Sequence, residues 1–144
     1  MAPKVSIIVP VFNMQSYLAK CLDSLIAQTL TDIEIIAVND GSTDNSSAIL
    51  SEYAARERRI VVIDQENCGQ GHARNRAIEA ASGEYIGFID PDDFVSADYF
   101  EALYLGAKRI DADICATCGV ITVDEISGKI GSFEVGFRSR GTIK

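Results

Sequence analysis

Gly83-Glu84-Tyr85-Ile86-Gly87-Phe88-Ile89-Asp90-Pro91-Asp92-Asp93-Phe94 carries an apolar run straight into three carboxylates. Tyr85–Ile89 is short, aromatic and β-branched, and it follows a helix-stopping glycine, so it predicts a buried strand. Asp90 then stands at the strand's C-terminal end, ahead of a proline. Proline biases its predecessor towards extended geometry and suits the second position of a turn. Asp90 and Asp92 can therefore aim their carboxylates into one small volume, with Asp93 close by. Like charges held that near raise each other's pKa unless a cation lies between them. A hard divalent ion meets that need: magnesium or manganese takes one or two protein carboxylates and fills its shell with water and substrate phosphates. The same four residues are also good chemistry for a plain acidic turn before a helix. Both readings stand on this stretch alone.

Outward from it, the chain alternates strands and helices. Val5–Val9 is a near-continuous apolar run, the mark of a parallel strand covered on both faces. Pro10-Val11-Phe12-Asn13 ends it, and Asn13 is expected to cap a helix with Leu18, Leu22, Leu25 and Ile26 on one face. Glu34–Val38 reads as the second strand, and Ser42 or Thr43 as the cap of the next helix, with Asp44 in its first turn. Ile60–Ile63 reads as the third strand. Ala73–Ala81 reads as a helix closed by Gly83 as its C′ residue. Ser96 is expected to cap a helix through Ala107, followed by strands over Asp113–Val123 and Ser132–Phe137. This order predicts an α/β fold with a mostly parallel sheet and right-handed crossovers. Ligands in such sheets bind beyond the C-terminal strand ends. Pro10–Asn13, Asn39–Ser42 and Asp90–Asp93 all fall there, so they are expected to open on one edge around a polar ligand.

With 144 residues and an apolar share of 47%, one soluble domain is the expectation. No apolar run approaches the roughly 20 residues that cross a bilayer. Met1-Ala2-Pro3-Lys4 leaves no room for a signal peptide before the first strand. A cytoplasmic location follows, with peripheral association at the inner membrane face left open. A formal charge of −8 and the lack of a basic stripe argue against nucleic acid. The same charge means that a phosphorylated ligand needs a local cation or a metal ion. Cys115 and Cys118 form a CxxC, but inside a strand residues three apart face opposite sides, so structural thiols are expected there.

The first turn contains no glycine, which excludes the GxGxxG dinucleotide loop. A P-loop and a GxSxG elbow are also missing. His72, the one histidine, has no acidic or nucleophilic neighbour in sequence and reads as a partly exposed helix residue.

Four segments, in order and spacing, carry a resemblance: Val5–Asn13, Asn39–Asp44, Asn67…Gly69…Ala73-Arg74-Asn75 and Phe88–Asp93. Together they resemble the family 2 glycosyltransferases, nucleotide-sugar-dependent enzymes with a GT-A fold, a Rossmann-like three-layer sandwich. The likeness covers residues 4 to about 125. It implies that Pro10, Val11 and Asn13 border the nucleoside pocket. It implies that Asp40 accepts a hydrogen bond from the base, commonly uracil, and that Asn67, Gly69 and Arg74 complete the base and phosphate environment. Asp90 would meet the ribose or the metal's water shell. Asp92 would ligate Mn2+ or Mg2+, with Asp93 sharing that role. Arg74 is the cation that an acidic chain needs beside a diphosphate; the bland alternative pairs it with Glu79 or Glu84 on the helix surface.

The implied reaction moves a sugar from a nucleotide-diphosphate donor, commonly a UDP-sugar, to a glycan or lipid-linked acceptor with inversion. The family's base is an acid well downstream of the acidic turn. Asp124 and Glu125 are paired acids in that stretch, and neither is assigned the role. Pro91 departs from the family's small polar residue at that position. The length falls below a full catalytic domain, so the chain is expected to stop before the full acceptor-binding part. A non-catalytic nucleotide-sugar binding module and a nucleotidyltransferase are the competing readings.

Overall fold

The computed structural model describes residues 2–116 and the backbone of two strands at 119–123 and 130–134. Residues 1–105 form one compact unit and residues 106–144 a second. In the first unit the elements run β1 (Val5–Val11), α1 (Leu18–Ile26), β2 (Ile33–Asp40), α2 (Ser46–Arg56), β3 (Ile60–Gln65), α3 (Gln70–Ala80) and β4 (Tyr85–Phe88), and α4 (Tyr99–Ile110) begins there. The four strands form an all-parallel sheet in the order β3-β2-β1-β4. In the second unit, β5 (Gly119–Val123) and β6 (Ile130–Glu134) pair antiparallel.

β1 lies between β2 and β4, which is why its apolar run is nearly continuous: all seven of its residues are buried. Its odd-numbered side chains, Val5, Ile7, Val9 and Val11, join Leu18, Leu22, Leu25, Leu50, Tyr53 and Phe100 in the larger core. Ile8 faces the other way and meets Ile36, Val38, Ala73 and Ala77 under α3. Helices thus cover both faces of the central pair, the three-layer arrangement expected of a parallel sheet.

Several local expectations yield to longer-range contacts. β4 is not buried on both faces: it is an edge of the sheet, and Ile86 and Phe88 are exposed. Asn13 does not cap α1, which starts at Leu18 after a turn in which Tyr17 and Leu18 N–H donate to the Met14 carbonyl. Ser42 and Thr43 do not cap α2; Asp44 lies just outside it and accepts from Ser46 N–H at 2.9 Å. Gly83 is not a left-handed C′ residue. It presses against β1, where a Cβ would sit 2.6 Å from the Ser6 nitrogen. Ser96 stands three residues before α4. Residues 113–116 lie outside any strand, and Cys118 falls outside the described residues, so the CxxC reading goes no further.

Candidate functional site

The strand ends meet at a cavity of about 410 Å³ on the C-terminal edge of the sheet. Pro10 and Val11 enter it from the end of β1, Phe12 and Met14 from the loop that follows, Asp40 from β2, and Asn67, Gly69, Gln70 and Ala73 from the β3–α3 connection and α3. Asp90, Pro91 and Asp92 close it beyond β4. The crevice therefore spans the point between β1 and β4 where the strand order reverses. The three polar clusters do open on one edge, and Asp40 and Asp92 line the same space.

Asp40 is held firmly. It is 3% exposed. Its Oδ1 accepts from Gln65 Nε2 at 2.7 Å and from Cys68 N–H at 2.8 Å, and its Oδ2 accepts from Gly69 N–H at 2.9 Å. Burial pushes this carboxyl up, but the bonds from Cys68, Gln65 and Gly69 outweigh it and hold the group below the usual carboxylate range. A carboxylate offers about four lone-pair directions, so one on Oδ2 is left to accept from a ligand. Two glycines make the surrounding turns. Gly41 has φ 71° and packs on Asn67, whose backbone nitrogen would be 2.8 Å from an added Cβ. Gly69 has φ 91° and opens α3.

The acidic turn closes with Asp93 N–H on the Asp90 carbonyl at 2.9 Å, placing Pro91 second in the turn. Arg74, in the second turn of α3, reaches Asp90 Oδ1 with Nη2 at 2.6 Å. Its partner is thus Asp90, a cavity residue, and the guanidinium stands at the acidic end of the crevice. Burial, then Asp92, then Asp90 raise the Asp93 carboxyl above its usual range. Beneath the turn, burial first and then Asp93, Asp92 and Asp90 push the Cys21 thiol up to about 12. The turn is therefore a concentrated negative field with one guanidinium against it. Among the described residues no three His, Cys, Asp or Glu side chains come together as a metal cage. Asp90 is turned to Arg74, and Asp93 does not line the cavity. Asp92 remains exposed on the cavity wall, a donor set that fits an ion completed by water and phosphate oxygens.

Asn13 is not a lining residue. Its Oδ1 accepts from Thr43 N–H at 2.8 Å and Asp44 N–H at 3.3 Å, and its own N–H donates to Ser42 Oγ at 3.1 Å. It staples the β1 loop to the β2 loop, with φ 52° at its own backbone. Phe12, Met14, Gln70, Ala73 and Pro91 also line the cavity, although the sequence assigns none of them a binding role. Phe12 lay inside a nominated turn, and Gln70 directly followed Gly69, so adjacency was the available signal. Gln65, which anchors Asp40, had none: the pairing spans 25 residues.

Residues 6–139 match the sequence profile of Glycosyl transferase family 2. The chain is 51% identical over 119 residues to a Bacillus subtilis protein named uncharacterized glycosyltransferase EpsJ, covering 83% of this chain and 34% of that one. Its fold is similar to the S. aureus TarS 1–349 structure in complex with UDP, with a TM-score of 0.68 and 31% identity over 74% of this chain and 32% of that one. It is similar also to the mannosyltransferase PcManGT from Pyrobaculum calidifontis in complex with GDP-Man and Mn2+, with a TM-score of 0.60 and 26% identity over 65% of this chain and 29% of that one. The chain spans about a third or less of the length of the first relatives that it matches. With its parallel α/β sheet and the crevice at its C-terminal edge, this chain belongs to glycosyl transferase family 2 and has the GT-A fold.

Proposed function

We propose that this chain is the donor-binding part of an inverting glycosyltransferase, seating the nucleoside diphosphate of a sugar donor, commonly a UDP-sugar, in the cavity. The observation that carries the reading is the placement of Asp40 and Asp92 on the walls of one space, which Asn67, Gly69 and Gln70 also line. The remaining lone pair of Asp40 suits the N3–H of uracil, a charge-assisted bond stronger than a neutral one. Phe12, 42% exposed at the β1 edge, offers an apolar ring to the base. Arg74 holds Asp90 beside the diphosphate and offsets part of the acidic turn's repulsion of it. Asp92, with Asp90 beside it, would hold Mn2+ or Mg2+, which supplies Lewis-acid stabilisation of the charge that grows on the leaving diphosphate.

The TarS complex with UDP and the PcManGT complex with GDP-Man and Mn2+ support both the ligand class and the ion. The acceptor is proposed as a glycan or lipid-linked alcohol, and no residue of this chain is assigned as the base that takes its proton. Among the described residues no helix is long and apolar enough to cross a membrane; a cytoplasmic position, with the inner membrane face as a docking place, is part of the proposal. Calorimetry with UDP-, GDP- and dTDP-sugars, in manganese and then in chelator, tests the reading. UDP-sugar binding that weakens at least about tenfold in chelator is expected. Binding of none of the three, or binding indifferent to the ion, overturns it.

A further inference from the structure

α1 does more than cover the sheet. Its Cys21, Ser24 and the buried Gln28 just past its end are spaced by three and four residues and face one segment, the stretch that leads from the acidic turn into α4. The Cys21 thiol donates to the Asp90 carbonyl, with Sγ 3.8 Å from the oxygen. Ser24 Oγ accepts from Val95 N–H at 3.3 Å. Gln28 Nε2 donates to the Ser96 carbonyl at 2.7 Å and to the Ser24 carbonyl at 3.1 Å, while its Oε1 accepts from Phe100 N–H at 3.0 Å. Thr29 N–H then donates to the Ala97 carbonyl at 2.8 Å.

Residues 93–98 belong to no helix or strand; local bonds serve some of their backbone groups, among them Tyr99 N–H to the Ser96 carbonyl at 3.1 Å, and α1 supplies further partners. Gln28 supplies the central ones. The Ser96 carbonyl and Phe100 N–H are four residues apart and would bond each other in one more turn of helix; the Gln28 amide binds both instead. At 4% exposure this amide has little access to water, and a buried amide is tolerated when its groups are bonded.

We propose that Gln28 is a positioning residue for the acidic turn. By tying Ser96 and Phe100 to α1 it fixes where Asp90 and Asp92 stand on the cavity wall, and with them the response of donor binding to a divalent ion. The proposal rests on the reading of the cavity as a nucleoside-diphosphate site. Gln28→Met keeps length and volume but removes both donors and the acceptor. Two quantities decide: amide hydrogen exchange across the chain, and the ratio of UDP affinities with and without manganese. The expected result is exchange at Asp93, Val95 and Phe100 faster by about tenfold, with β1 and β2 amides unchanged. The manganese ratio falls by about tenfold with it. Gln28→Asn, which keeps the amide but shortens its reach, is expected to move both in the same direction and serves if the methionine variant does not fold. Unchanged exchange at the turn, exchange raised throughout the chain, or a loosened turn with the manganese ratio intact each overturns the proposal. A failure of the site reading looks different: the wild-type chain itself gains nothing from manganese, and the proposal falls with it.

Discussion

Asp40 has two employers. Its carboxylate ends β2, yet three of its lone-pair directions already bind Gln65, Cys68 N–H and Gly69 N–H, so it also organises the turn into α3. Replacing it by asparagine turns one acceptor into a donor facing those N–H groups. Asp40→Asn is expected to lose about 1–3 kcal/mol of stability, as for a buried donor left unpaired, measured by urea unfolding. Its folded pKa lies below the unfolded one, so its stabilisation is present above the unfolded pKa and fades as pH falls through the folded value. The wild type should therefore lose stability on acidification below about pH 4 more steeply than Asp40→Asn does; parallel curves for the two proteins contradict this. The identity of Asp40 as a site residue was legible from its place after an apolar run. Its internal partners were not, because they arrive from 25 to 29 residues away. Asn13 shows the same limit: a local cap reading lost to Thr43 and Asp44, 30 and 31 residues on.

β1 and β2 were readable because strands covered on both faces carry near-continuous apolar runs. β4 was not, since an apolar run does not say whether a neighbour covers each side. Its place is set by a contact that sequence periodicity does not encode. Gly83 N–H donates to Ser6 Oγ at 2.7 Å, and Ser6 in turn donates to Glu34 Oε1 at 2.5 Å. Ser82 N–H and Oγ reach the same carboxylate oxygen at 2.7 and 2.9 Å. Burial raises the Glu34 carboxyl, but the bonds from Ser6 and Ser82 bring it below its usual range. This knot joins β1, β2 and the approach to β4. Gly83→Ala drives a methyl into the Ser6 backbone, and overpacking of that kind costs about 1–3 kcal/mol. The thermal midpoint is expected to fall by several degrees while UDP binding to the folded protein stays unchanged; a midpoint equal to wild type contradicts the packing argument.

The net charge of −8 would repel a diphosphate were the field uniform. The fold instead brings Asp90 and Asp92 to the crevice with Asp93 next to them in the turn, sets Arg74 against Asp90, and lines the same cavity with Asp40 from the end of β2. Convergence of the loops on one edge followed from alternating strands and helices alone. Which carboxylates face the cavity did not, because that depends on how the turn after β4 is held against α1. Binding of uridine and of UDP, each with manganese and with chelator, separates the two ends. The account predicts that Asp40→Asn weakens uridine and UDP alike, about tenfold, with or without the ion. Asp92→Ala should leave uridine untouched and reduce UDP affinity in manganese to the level seen in chelator. An Asp92→Ala protein that still gains UDP affinity from manganese, or an Asp40→Asn protein that binds uridine as the wild type does, contradicts a single cavity joining base and diphosphate.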